Sequence, residues 1–166
     1  MTLRLAHPAD LPALGDIERL AAERFSTTHL PAHLRGHTLP RDVLQRGLEA
    51  GLLWVVEHAG HAVGFLLAER EGQGLHIAEV SVHPDHGGQG HGRALLEAAA
   101  ERARAEGLPC LTLTTFDDVP WNRPFYERAG FQVLAEAACD SALAAHLAAE
   151  REAGLSGRVA MRRVVG

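Results

Sequence analysis

The chain has 166 residues, 46% of them hydrophobic and 22% charged, with a formal net charge of −5 at pH 7. That length suits one ordinary domain, here residues 1–166, able to bury a core without staples or metals. No apolar run of eighteen residues exists and every basic side chain is Arg, outnumbered by carboxylates, so neither a membrane span nor bulk binding to nucleic acid is expected.

The elements read in order as follows. Residues 2–6 suit a strand, and Asp10 is placed to cap a helix carrying Leu14, Ile17 and Ala21 on one face. Periodicity is lost over 25–40, which predicts a loop, and a second helix spans 41–49, stopped by Gly51. Strands at 52–57 and 62–69 are joined by a turn at Ala59-Gly60, and a turn at 71–74 leads into a strand at 75–82. The clearest helix runs over 90–106, with Leu96, Ala99 and Ala103 opposite Arg93, Glu97, Glu101 and Arg104. Then come a strand at 111–115, a helix at 120–129, a strand at 131–135, a helix at 141–153 and a strand at 158–165. The order β-α-α-β-β-β-α-β-α-β-α-β predicts an α/β fold, a mixed sheet with helices on its faces.

Charge and Pro8 interrupt the start before the apolar stretch of a signal peptide, and Cys110 and Cys139 make no disulfide framework. A cytoplasmic, reduced protein with inert buried thiols is the expectation. His29, His33 and His37 share a spacing of four, but Pro31 and Gly36 break up that face, so no metal site is expected.

The informative stretch is 79–93, where Gly87, Gly88, Gly90 and Gly92 cluster between a strand and a strong helix. Gly inside a helix costs about 0.5–1 kcal/mol relative to Ala. A helix start offers unpaired N–H groups and about half a positive charge, and glycine lets anionic oxygens reach them, so a diphosphate suits the loop. It lacks the Gly-Lys-Ser/Thr ending of nucleoside-triphosphate loops and the GxGxxG spacing of dinucleotide folds.

Val80-x-Val82-x-Pro84-x-x-x-Gly88-x-Gly90-x-Gly92-Arg93-x-Leu95-Leu96 resembles the CoA-binding motif of the GCN5-related N-acetyltransferase (GNAT) family. The segment Phe125-Tyr126-Glu127-Arg128-Ala129-Gly130-Phe131 resembles that family's C-terminal motif, and the likeness covers residues 2–135 in order. It implies the GNAT fold, with a mostly antiparallel sheet of about seven strands, and acetyl-CoA as acyl donor. By the same likeness, Val80, Ser81 and Val82 would pair with the pantetheine arm. Gly87, Gly88, Gln89, Gly90, His91, Gly92 and Arg93 would hold the pyrophosphate. The strands at 75–82 and 111–115 would splay to admit the thioester. Family members usually carry Arg or Gln where this chain has Gly87. The family's frequent Asn seven residues before its tyrosine is Val119 here, so Asn122 does not inherit that role.

The implied reaction is acetyl transfer to a primary amine by direct attack in a ternary complex, without a metal or an acyl-enzyme. Glu79 is one candidate for the base that takes the ammonium proton, and His76 is the rival, with a strand bulge deciding which faces the cleft. Tyr126, the only tyrosine, matches the family residue that protonates the departing thiolate. Glu18, Glu23 and Asp42 hint at a cationic acceptor, a small molecule or a peptide, and a homodimer is compatible with this reading. A non-catalytic acyl-CoA sensor is the alternative.

Overall fold

The computed structural model describes residues 2–166. Twelve elements follow the expected order: β1 (Thr2–Leu5), α1 (Leu11–Ala22), α2 (Arg41–Ala50), β2 (Leu53–His58), β3 (His61–Glu71), β4 (Gly74–Val82), α3 (His91–Ala105), β5 (Cys110–Phe116), α4 (Arg123–Arg128), β6 (Gln132–Leu134), α5 (Ser141–Glu152) and β7 (Arg158–Val164). The seven strands form a mixed sheet in the order β1-β2-β3-β4-β5-β7-β6. β4 and β5 pair in parallel, Leu75 opposite Leu111 and His76 opposite Thr112, while β1–β2, β2–β3, β5–β7 and β6–β7 are antiparallel. The chain divides into two compact units: one holds residues up to Arg24, Leu34–Glu69 and Ile77–Ala99, the other Phe25–His33, Arg70–His76 and Ala100–Gly166.

In the first unit, Leu11, Leu14 and Ile17 of α1 and Leu44 of α2 pack on Leu53, Val55, Phe65 and Leu67 of β2 and β3. Each such side chain fully buried contributes roughly 1.5–3 kcal/mol. The β2–β3 turn takes Ala59 and Gly60, both at positive φ (51° and 81°), the conformation that a two-residue hairpin turn demands. Asp10 departs from its expected role. It makes no side-chain cap on α1; its carboxylate accepts from the His7 N–H at 2.6 Å and forks onto Arg4 at 2.8 and 3.0 Å. The cause is a 3-10 turn over Pro8–Asp10 that leads into α1, so the residue capping the chain's entry lies one turn earlier.

In the second unit, α5 lays Leu143 and Leu147 against Ala160 of β7 and is capped by Asp140, whose carboxylate accepts from the Leu143 N–H at 2.8 Å. α4 begins at Arg123, three residues later than the sequence suggests. A helix from Pro120 would put Pro124 in its interior, where the ring meets the carbonyl four residues back; starting at Arg123 leaves Pro124 in the first turn, where no N–H is needed. Phe25 of the 25–33 segment stacks on Phe116 (5.1 Å) and Trp121 (4.9 Å).

Gly74 marks the closest backbone approach. A Cβ there would stand 2.1 Å from the Cys110 carbonyl oxygen. Backbone cannot step aside as a side-chain tip can, so Gly74→Ala is expected to destabilise the fold by about 1–3 kcal/mol. A urea melt checks this, and an unchanged midpoint would contradict it.

Candidate functional site

The glycine-rich loop is built as the sequence suggests. β4 ends at Val82, and a 3-10 turn over Pro84–His86 follows, capped by the His83 ring accepting from the Asp85 N–H at 3.1 Å. Gly87, Gly88, Gln89 and Gly90 are all exposed, and α3 starts at His91, its first turn closed by the Ala94 N–H on the Gly90 carbonyl at 3.0 Å. Gly88 and Gly90 sit at φ +72° and +83°, where a side chain is strained, and a Cβ on either would point into open space. Gly87 differs: its φ is −67°, and a Cβ would lie 3.4 Å from the Pro84 carbonyl, an ordinary contact. That position therefore accepts a side chain.

His91 is the first residue of α3. Its ring is 4% exposed with Nε2 3.2 Å from Gln89 Oε1, and burial first, then the His86 ring, lower its pKa. It is a neutral packing residue in α3, so any part it takes in anion binding belongs to its backbone. Arg93, two residues on, is exposed at the same helix start.

Val80 and Val82 are half-buried and Ser81 is buried, its hydroxyl donating to Glu79 Oε1 at 2.9 Å. Glu79 also shares a hydrogen bond with Glu18 of α1. Burial raises the Glu18 pKa, against the Leu39 N–H, which donates to its carboxylate at 2.9 Å, and against Glu79. Two carboxyls in contact share a proton more readily than they hold two negative charges. Of the three acidic residues singled out, Glu18 alone stands in this pair: Asp42 is exposed on Arg46 at 3.0 Å, and Glu23 is exposed at the end of α1.

Tyr126 lies on α4, in the second unit, half-buried between the edges of Phe125 (5.1 Å) and Phe131 (6.0 Å). Asn122, just before α4, is buried with its amide donating to the Thr115 hydroxyl, which ties the helix start to β5. Trp121 packs on Phe25. Cys110 and Cys139 are half-buried rather than buried, and desolvation raises both thiol pKa values, so each stays protonated and unreactive at neutral pH.

His76 is 4% exposed, its Nδ1 3.0 Å from the Thr112 hydroxyl and its ring stacked on His146 of α5 at 4.2 Å. Burial first, and the His146 ring next, lower its pKa to about 4. His29 meets Asp118 and His33 bonds the Ala153 carbonyl, so the histidines spaced four apart go separate ways. Sequence reading missed two groupings: Glu18 with Glu79, and Glu71 with His76 and His146. Glu18 is 61 positions from Glu79, and His146 is 70 or more from His76 and Glu71, so no local pattern encodes either grouping.

The profile of the Acetyltransferase (GNAT) family matches residues 16–131. A mycothiol acetyltransferase of Nocardiopsis dassonvillei is 35% identical over 102 residues, 56% of this chain and 30% of its own length. An amino-acid acetyltransferase of Pasteurella multocida is 32% identical over 139 residues, 82% of this chain and 28% of its own. The chain thus spans less than a third of these curated relatives. Among solved structures, Rv2747 from Mycobacterium tuberculosis, in complex with CoA and NLQ, superposes with a TM-score of 0.73 at 20% identity, covering all of both chains. The N-acetylglutamate synthase of Neisseria gonorrhoeae, complexed with coenzyme A and N-acetyl-glutamate, gives 0.74 at 22% identity over 99% of this chain and 35% of that one. At such identities the structures show a shared fold.

Proposed function

Because the chain belongs to the acetyltransferase (GNAT) family, we propose that it transfers acetyl from acetyl-CoA to a primary amine by direct attack, residues 1–166 acting as one domain. The family match runs through both compact units, which supports that reading. The observation that carries it is the exposed loop at the start of α3, whose Gly88 and Gly90 are held at positive φ with open space before them. A helix N-terminus with such a loop binds a diphosphate through backbone N–H groups. In this reading residues 87–93 take the CoA pyrophosphate, and the backbone of Val80, Ser81 and Val82 takes the pantetheine arm.

An alkyl ammonium such as a lysine side chain, with a pKa near 10.4, must lose a proton before it attacks a thioester. Glu79 is the base in this proposal. Its partnership with Glu18 supports that choice, because a carboxyl pair attracts an ammonium group and can take up its proton. His76 is less suited: its ring is buried, engaged with Thr112 and covered by His146. The nitrogen then attacks the thioester carbonyl, the C–S bond breaks, Tyr126 protonates the departing thiolate, and the proton the nitrogen sheds on becoming an amide restores the phenol.

Thiol release from acetyl-CoA, measured with a panel of primary amines, tests the activity. Acetyl-CoA should raise the melting temperature, by RT ln(1 + [L]/Kd) in free energy, while ATP and NAD should not. No stabilisation by millimolar acetyl-CoA would overturn the assignment, and stabilisation without turnover on any amine would mark a sensor instead. Glu79→Gln is expected to cut turnover by roughly 10²-fold near neutral pH and to recover as pH rises and the free-amine fraction grows. A flat ratio of wild-type to variant rates across pH would remove Glu79 as the base.

A further inference from the structure

Glu71, His76 and His146 come together from three elements of the second unit: the end of β3, the start of β4 and the middle of α5. We propose that these three side chains form a binding site for a divalent transition-metal ion, zinc foremost, that fastens α5 to the sheet. One nitrogen or oxygen from each residue lies within 4.8 Å of the others. His146 Nε2 is 2.8 Å from both Glu71 oxygens, and His76 Nδ1 is 3.9 Å from Glu71 Oε2. Zinc holds nitrogen and oxygen at about 2.0–2.2 Å in a tetrahedron, which sets its ligands about 3.3–3.6 Å apart. The two separations to Glu71 bracket that spacing, and closing the site takes the His146 ring out of its face-to-face stack on His76. His146 is free enough to move, with 34% of its side chain exposed.

The surroundings favour a cation. Glu71, Glu150 and Asp140 all act on His76 as negative charges, and Asp140 uses one carboxylate oxygen to cap α5. His76 Nδ1 stands 3.0 Å from the Thr112 hydroxyl, which must turn away from that nitrogen when the ion binds. Two imidazoles and one carboxylate select zinc, cobalt or nickel over magnesium or calcium, which demand oxygen ligands. A cavity of about 270 Å³, lined by Glu71, Thr112, Asp140, Cys110 and Cys139 among others, reaches Glu71 and can deliver the ion and a water as fourth ligand. Binding takes the His146 tautomer that carries its proton on Nδ1 and leaves Nε2 to the ion.

A site of this kind acts as a staple, because the unfolded chain does not hold its three ligands together. The inference stands on these residues alone and is independent of the acetyltransferase reading.

The test uses the full chain, stripped with a chelator and desalted, then titrated with zinc chloride. At a hundredfold excess over Kd the melting temperature should rise by about 5–10 °C, with one ion per chain by native mass spectrometry. Cobalt chloride should give the visible absorption band of a four-coordinate ion. His146→Gln and Glu71→Gln should lose both responses. His86→Gln should keep them; its ring stands 5.3 Å from His58 and 6.4 Å from His91, among histidines outside the proposed site. Absence of any zinc shift in the wild-type chain overturns the proposal. So does a shift that survives His146→Gln or disappears in His86→Gln.

Discussion

Tyr126→Phe should lower turnover by roughly 10²- to 10⁴-fold while leaving acetyl-CoA affinity nearly unchanged. The ring contacts with Phe125 and Phe131, both edge-to-face, remain in the variant, so α4 keeps its packing. Only the hydroxyl is removed. A thiolate leaving unprotonated is the poorer leaving group, and at 1.36 kcal/mol per tenfold this loss raises the barrier by about 3–5 kcal/mol. The measurement is single-turnover release of CoA beside a titration of acetyl-CoA binding. Full turnover in the variant, with chemistry rate-limiting, would make the hydroxyl structural and leave water or the substrate amine as the proton source.

Gly90→Val should abolish the stabilisation by acetyl-CoA. The residue's φ of +83° is strained for any side chain and worst for a β-branched one, and the added atoms would fill the space the proposed pyrophosphate enters. Its two chain neighbours apart, no atom of the described residues lies within 4 Å of that Cβ, so the fold should survive. Strain of about 1–2 kcal/mol is the local cost. The informative control is Gly87→Arg, four residues before α3 begins. Its φ of −67° accepts a side chain, and an added guanidinium at the loop should leave acetyl-CoA binding as tight or tighter. Acetyl-CoA binding unchanged in Gly90→Val, or lost in Gly87→Arg, would contradict the loop's role.

Much of this could be read from the chain alone, because it depends on neighbours in sequence. The twelve-element order follows from hydrophobic period, from glycines that stop α2 and α3 and from turn residues such as Gly60 and Gly72. The loop at 87–93 follows from glycines set where a strand meets a helix, and the family follows from two motifs on those elements. These are local properties: a residue's φ, its side-chain volume and its spacing constrain the few positions around it.

Tertiary structure decided what those residues meet. Asp10 looks like a helix cap, but Arg4 and the 3-10 turn before α1 draw its carboxylate away. His91 stands in the loop's sequence beside exposed glycines, but the fold buries its ring and turns it onto Gln89. Glu18 gains significance only because α1 brings it to Glu79, and Glu71, His76 and His146 form a group only because β3, β4 and α5 converge. A side chain's charge state and partners depend on desolvation and on distances of a few ångströms across the fold. Sequence spacing contains neither until the chain has closed on itself.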